Sequence, residues 1–388
     1  MVKITKDFYV NTKKSYESSK NIFIKSLKKN KLHHAWLIHG PKGVGKATLA
    51  WKITKLLQNG LHNFDQIEEE NKLSLTSRRI EALSEQSVLL CRRQFDKTKK
   101  KFLQEISINE IRKINHFFSL SNTISKYRIV IIDTINELSI SASNALLKLL
   151  EEPPLDGIFI LICENKRSVL PTIISRCRIL ECNSLDFKNF EKGMLSIYDK
   201  RNVSSENLNQ LFELSGGSIG KSIEIFDNNG LEIFNKLINI LISDNEEQLE
   251  KFWELLLFRH HFETAKEYHK FLFEFVLYAI ALIGKSLVTK KNSSLFKLKL
   301  KKENNHHEDY FPYSLLHSII LKDLNNALEV NLNLSDLLLT SVLKIIKINK
   351  KKKNSFTVTI TNRKFVSKFF SIISKTLAYP RSVEIIKI

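Results

Sequence analysis

Short, nearly unbroken apolar runs alternate with stretches whose apolar residues recur every three or four positions over the earlier part of the chain. The runs Ala35 to His39, Arg128 to Asp133 and Ile158 to Cys163 predict strands buried on both faces. Between them, Ala47 to Leu57 and Ser141 to Glu151 carry the helical period. This alternation predicts an α/β domain, a parallel sheet covered by helices. Pro153 and Pro154 should end the second helix, because proline lacks the next ladder donor and the residue before it avoids helical geometry. After about Leu185 the β signal fades, and helical periodicity such as Leu208, Leu211, Phe212 and Leu214 continues to Ile348. The apolar stretch Phe271 to Ile283 is interrupted by Glu274 and is shorter than the roughly 18 residues a membrane span requires, so a buried helix is expected.

Length, composition and charge narrow the picture. A chain of 388 residues is expected to form two or three compact units. An apolar share of 43% beside 26% charged residues lies away from the signature of disorder. The formal charge of +20 suits work beside a polyanion, and the lysine-, asparagine- and isoleucine-rich composition accounts for it equally well. Basic segments at Lys285 to His307 and Lys347 to Asn354 are expected to be solvated loops, with contact to nucleic acid as the alternative. The opening MVKITKDFYVNTKK lacks the apolar core of a signal peptide, so a cytoplasmic protein without membrane contact is expected. Cys91, Cys163, Cys177 and Cys182 form no C-x2-C pair, which indicates neither a zinc knuckle nor a disulfide frame.

The chemistry begins at Gly40-Pro41-Lys42-Gly43-Val44-Gly45-Lys46-Ala47-Thr48, between a predicted strand and a predicted helix. That context suits a phosphate loop: glycines let successive N–H groups turn toward phosphate, the helix N-terminus adds its dipole, and Lys46 reaches the outer phosphates. Ala47 stands where a hydroxyl residue usually holds Mg²⁺, and Thr48 is displaced by one position, about 100° around the helix. ATP or ADP binding is therefore expected to be weak and Mg²⁺ poorly held. Asp133 ends a buried strand, as a Walker B aspartate does, but Thr134 follows it where ATPase motors carry a second carboxylate. Glu137 lies further along and is expected to be a solvated loop residue or a cap for the next helix.

Taken in order, HHAWLIHGPKGVGKATLA, RIVIIDTINELSISASNALLKLLEEPP and LPTIISRC resemble the clamp-loader branch of the AAA+ proteins, and within it are most similar to the delta-prime type of subunit. The resemblance covers roughly residues 30 to 182. It implies a P-loop AAA+ domain over 1–185, a helical lid over 186–232 and an all-α collar over 233–348, beyond which 349–388 is expected to be a basic extension of unassigned role. It also implies delta and tau/gamma subunits, a sliding clamp and primed DNA as partners. Arg176, in the Ser175-Arg176-Cys177 triplet, occupies the position of an arginine finger that reaches ATP on a neighbouring subunit.

Three departures from that pattern matter. The insertion at about 61–101 contains only Cys91 where the family often has a four-cysteine zinc module, so zinc is not expected. Lys221, in the lid segment Gly216 to Lys221, stands where related proteins often have arginine. The tail including Phe365 to Leu377 extends past the expected collar. The leading expectation is a weakly catalytic or non-catalytic subunit that supports a neighbouring ATPase. A tau/gamma-type motor using Glu137 as base, or another basic P-loop protein acting on DNA, are the alternatives.

Overall fold

A computed structural model describes residues 15–61, 64, 74–96, 101–119, 126–198, 203–242, 248–257, 262, 264–289, 311–329, 332–350, 356–360 and 383–387. The chain divides into two compact units, one formed by Met1–Leu208 with Ser215–Ile223, the other by Asn209–Leu214 with Glu224–Ile388.

The first unit opens with α1 (Glu17–Lys28), β1 (Ala35–His39), α2 (Lys46–Gln58) and α3 (Leu75–Glu81). Strand β2 (Val88–Cys91), a small antiparallel pair of β3 (Phe95–Asp96) and β4 (Lys101–Phe102), and α4 (Ile108–Ser119) follow. Then come β5 (Arg128–Asp133), α5 (Ile140–Glu151), β6 (Gly157–Cys163), the single turn α6 (Pro171–Ile174) and β7 (Arg178–Glu181). Helices α7 (Phe187–Ile197), α8 (Ser205–Ser215) and α9 (Ile219–Asp227) complete the series, residues of the last two falling in both units.

The five-stranded sheet has the order β2-β5-β6-β1-β7, with every pairing parallel. Alternate residues of its inner strands feed two cores, as the two-residue period of a strand requires. Ile129, Ile131, Ile158, Ile160 and Ile162 pack on one face with Leu49, Ile53 and Leu56 of α2. Val130, Ile132, Phe159 and Leu161 pack on the other with Ile111 and Ile114 of α4 and Leu146 and Leu150 of α5. Every residue of β6 is buried, and each large side chain so removed from water contributes about 1.5–3 kcal/mol. The two halves of this core rigidly support the loops at the C-terminal ends of the strands.

The elements expected from the apolar pattern are present, and α5 ends at Glu151, just before Pro153 and Pro154. Two strands carried no such pattern. β2 lies within the insertion and has three half-buried residues of its four, and the outer strand β7 buries only Leu180 fully.

The second unit is built mainly from α10 (Gly230–Ile242), α11 (Gln248–Leu257), α12 (Ala265–Thr289), α13 (Phe311–Glu329) and α14 (Leu334–Lys350). Helix α12 contains the Phe271 to Ile283 stretch, and its Phe273, Val276, Ala279 and Ile280 are completely buried. Phe234 of α10 meets Phe275 edge to face at 5.3 Å, a favoured aromatic geometry. The Tyr268 hydroxyl donates to the Leu255 carbonyl at 2.7 Å, satisfying a buried polar group. Among the described residues no helix is long and apolar enough to cross a membrane. Past α14, β8 (Phe356–Ile360) pairs in parallel with β9 (Val383–Lys387). The Phe365 to Leu377 stretch, most of Lys285 to His307, and 351–354 of the second basic segment lie outside the described residues.

Candidate functional site

Strand β1 ends at His39, and the chain turns through Gly40 to Gly45 into α2. Gly43 and Gly45 have φ of 79° and 100°, left-handed values that side chains disfavour, and Gly45 is the N-cap of α2. The ammonium of Lys46, largely buried, donates to the carbonyls of Gly40 at 2.8 Å and Pro41 at 2.7 Å. Burial draws the Lys46 pKa below its ordinary value, opposed by the negative charges of Glu164 and Asp133 and by the thiols of Cys182 and Cys163.

A cavity of about 190 Å³ opens beside this turn. Gly43, Gly45, Lys46, Ala47, Thr48, Asp133, Thr134 and Glu164 line its polar side, and Ile162, Ile197, Ile219 and Ile223 its apolar side. The sheet order explains the convergence, since β6 lies between β5 and β1 and so carries Glu164, its next residue, between Asp133 and the loop. Burial raises the Asp133 pKa, while the Thr134 hydroxyl, donating to Oδ1 at 3.3 Å, and the cations Lys46 and Arg92 oppose the rise. Glu164 was not anticipated from the sequence. Its signal was a carboxylate directly after a fully buried strand, at the end of a parallel sheet where ligands bind.

The segment after α8 seals the loop. Ser218 Oγ donates to the Lys42 carbonyl at 2.7 Å, and the Gly220 N–H donates to the Gly43 carbonyl at 2.9 Å. A Cβ on Gly43 would lie 2.5 Å from the Lys221 backbone nitrogen, so the close approach demands glycine there. Lys221 itself is not among the residues lining the cavity. Gly40 and Pro41 instead line a separate, open cavity of about 610 Å³ with His39, Lys166, Arg167 and Glu181. Val44 turns inward and is buried in the core.

Glu137 is neither a free loop residue nor a helix cap. It sits in the 3₁₀ turn Ile135–Glu137, and its Oε2 lies 2.7 Å from Arg93 Nε. The cap of α5 is Ser139, whose Oγ accepts from the Ala142 N–H at 3.2 Å. Burial raises the Glu137 pKa, with Arg93 opposing it. Glu137 does not line the cavity.

Arg176 follows the single turn α6 and lies outside both cavities. Its Nη1 donates to the Thr172 carbonyl at 2.8 Å, and its Nη2 lies 2.7 Å from Glu151 Oε1. Its side chain is 35% exposed. Cys91, Cys163 and Cys182 are buried and Cys177 is half-buried. Burial pushes Cys91, Cys177 and Cys182 up to about 12 and Cys163 up to about 11. Among the described residues no group of three or more His, Cys, Asp or Glu is arranged to hold a metal ion.

The arrangement of loop amides and lysine suits phosphate. Residues 16–186 match the family described as DNA polymerase III, delta subunit. That stretch contains the loop, Asp133 and Arg176. The chain is 31% identical over 200 residues to a DNA polymerase III subunit gamma of Buchnera aphidicola, covering 51% of this chain and 52% of that one. It is 30% identical over 179 residues to the DNA polymerase III subunit delta' of Bacillus subtilis, covering 44% and 48%. The matches thus span about half the length of these relatives. A DNA polymerase III gamma subunit-related protein from Thermotoga maritima superposes with a TM-score of 0.48 at 16% identity, over 86% of this chain and 100% of that one.

Chemically, the loop amides of Gly43 to Thr48 and the Lys46 ammonium fit the phosphates of a nucleotide. Ala47 offers no hydroxyl to a metal at the head of α2, although Thr48 does line the cavity. Lys46 must leave two carbonyls to reach a phosphate, which opposes binding. The loop amides and Lys46 fit phosphate, while Asp133, Glu164 and Thr48 line the cavity as oxygen donors for a metal.

Proposed function

We propose that this chain is a delta-prime-type subunit of a DNA polymerase III clamp loader, supporting ATP-dependent loading of a sliding clamp onto primed DNA beside delta and tau/gamma-type neighbours. The observation that carries the reading is the position of Arg176. It stands on a partly exposed turn outside its own chain's phosphate cavity, while that cavity lacks a hydroxyl at Ala47 and a carboxylate at Thr134. A guanidinium so placed is available to ATP held by a neighbour, where its charge and planar fork stabilise the γ-phosphate as it is transferred. Within this chain, Lys46 and the loop amides bind nucleotide weakly, and hydrolysis is negligible.

The test is to assemble the complex with Arg176→Ala or Arg176→Lys and compare ATPase rates at matched composition. Arginine fingers typically contribute about 10³ to 10⁵ in rate, and a complex with several interfaces should lose less than this. Arg176→Lys should rescue little, because a point charge does not reproduce the fork. Unchanged ATPase and clamp loading with Arg176→Ala would refute the reading.

One observation favours a second reading, a tau/gamma-type motor. Glu164 brings to the cavity a carboxylate that the residue after Asp133 does not supply. Hydrolysis by the purified chain at a motor's rate, abolished by Lys46→Ala, would favour this alternative.

A further inference from the structure

We infer that Glu151 is a positioning residue for Arg176, holding its guanidinium so that one edge faces a phosphate on a neighbouring subunit. This rests on the trans-acting reading of Arg176 given above. Glu151 is the last residue of α5, a helix fixed at its start by the Ser139 cap and along its length by buried Ala142, Leu146 and Leu150. Pro153 and Pro154 stop the helix there, so the carboxylate projects from a rigid end rather than from a mobile loop.

The guanidinium is gripped on one side only. Nη1 is engaged by the Thr172 carbonyl at 2.8 Å and, more weakly, by Ser175 Oγ at 3.4 Å. Nη2 lies 2.7 Å from Glu151 Oε1, and among the described residues no partner is found for Nε. A guanidinium has five N–H donors, more than these contacts use, and Nε–H with the remaining donors can pair with phosphate oxygens. With Glu151 removed, only Nη1 would be held, by the Thr172 carbonyl and weakly by Ser175 Oγ, and the long side chain would regain rotamer freedom that must be lost again on engagement. Both side chains are partly exposed, at 35% and 49%, so the effect is expected to be modest.

The experiment uses complexes assembled from full-length chains carrying Glu151→Ala, Glu151→Gln, Arg176→Ala, or Glu151→Ala together with Arg176→Ala. DNA-stimulated ATPase and the melting temperature of the chain are measured for each. Glu151→Ala should lower ATPase about two- to fivefold, the factor corresponding to the usual worth of a half-exposed ion pair. Glu151→Gln, which keeps an acceptor without the charge, should fall between it and wild type. The decisive expectation is that the double variant is no slower than Arg176→Ala alone, with melting temperatures little changed, because Glu151 acts only through Arg176. If Glu151→Ala does not fold, Glu151→Gln and its combination with Arg176→Ala carry the same comparison. An unchanged rate in the Glu151 variants, or losses that multiply in the double variant, would overturn the inference while leaving the role of Arg176 intact. An unchanged rate in Arg176→Ala would overturn both.

Discussion

Replacing Gly220 by alanine should destabilise the contact between the start of α9 and the glycine-rich loop Gly40 to Gly45, against the direction that helix propensity alone predicts. Gly220 is the second residue of α9, and in an isolated helix alanine is favoured over glycine by about 1 kcal/mol. A Cβ there would lie 2.8 Å from Gly43 Cα and 2.9 Å from the Gly43 carbonyl oxygen. Carbon atoms normally meet at about 3.5–4.0 Å, and both obstacles are backbone, which cannot rotate aside. Overpacking of this kind typically costs about 1–3 kcal/mol. Relief by separation would also stretch the 2.9 Å bond from the Gly220 N–H to the Gly43 carbonyl, a further loss of about 0.5–1.5 kcal/mol. Against the propensity gain, the net destabilisation should be about 1–3 kcal/mol, most of it local to the segment. Amide hydrogen exchange is the suitable assay, because it reads the opening of one segment without assuming that the two units unfold together. Protection across 219–223 should fall by about tenfold or more, each tenfold corresponding to about 1.4 kcal/mol. Protection that stays the same or rises would mean that the methyl group is accommodated and that the close backbone approach does not hold the segment to the loop.

Three further outcomes are expected. His34 and His39 both have pKa values held below 6.5, chiefly by burial, so the unfolded chain binds protons at a pH where the folded chain does not. Their contribution to stability is whole above about pH 6.5 and is lost as pH falls through the lowered folded values. Because His34 keeps its own lowered pKa, His39→Gln should flatten, not abolish, the fall in urea midpoint on acidification; a midpoint that climbs would contradict this. The four thiols, pushed up to about 11 or 12, should react with a thiol-specific reagent far more slowly in the native chain at pH of about 8 than after unfolding in guanidinium. Rapid native labelling of Cys91 or Cys182 would be inconsistent with their burial. In the clamp-loader complex proposed above, Glu137→Gln should leave the ATPase rate unchanged, because the carboxylate is committed to Arg93 and does not line the cavity; a tenfold loss would restore Glu137 as a candidate base.

What could be read in the sequence was whatever depends on neighbours along the chain. The runs at β1, β5 and β6 are apolar throughout because both of their faces are covered, and the glycine spacing before Lys46 marks a turn that only small residues make. β7 was illegible because an outer strand leaves Arg178 and Glu181 exposed, so its residues carry no apolar run. β2 was hidden in the insertion because only Cys91 is fully buried. Glu164 lies 31 residues from Asp133, and only the lateral order of β5, β6 and β1 brings the two acids to one cavity. Glu137 failed in the opposite sense. It is close to Asp133 in sequence, but a 3₁₀ turn and a distant arginine carry its carboxylate elsewhere. The pairing of Glu151 with Arg176 likewise links two quoted motifs whose contact appears only when α5 and α6 are packed.

The outer position of β7 also bears on self-association. A strand at the margin of a sheet presents unpaired backbone groups to which another chain can add. Here the strand is four residues long and carries exposed charges at both ends. Ser19 of α1 donates to the Glu181 carbonyl at 2.6 Å, and the Asn183 N–H donates to the Ser15 carbonyl at 2.8 Å, so the start of the domain already engages the end of this margin. Removing Ser15 to Ser19 would therefore uncover the Glu181 carbonyl and the Asn183 N–H as a template for edge-to-edge aggregation, although neither serine lines the cavity beside Lys46.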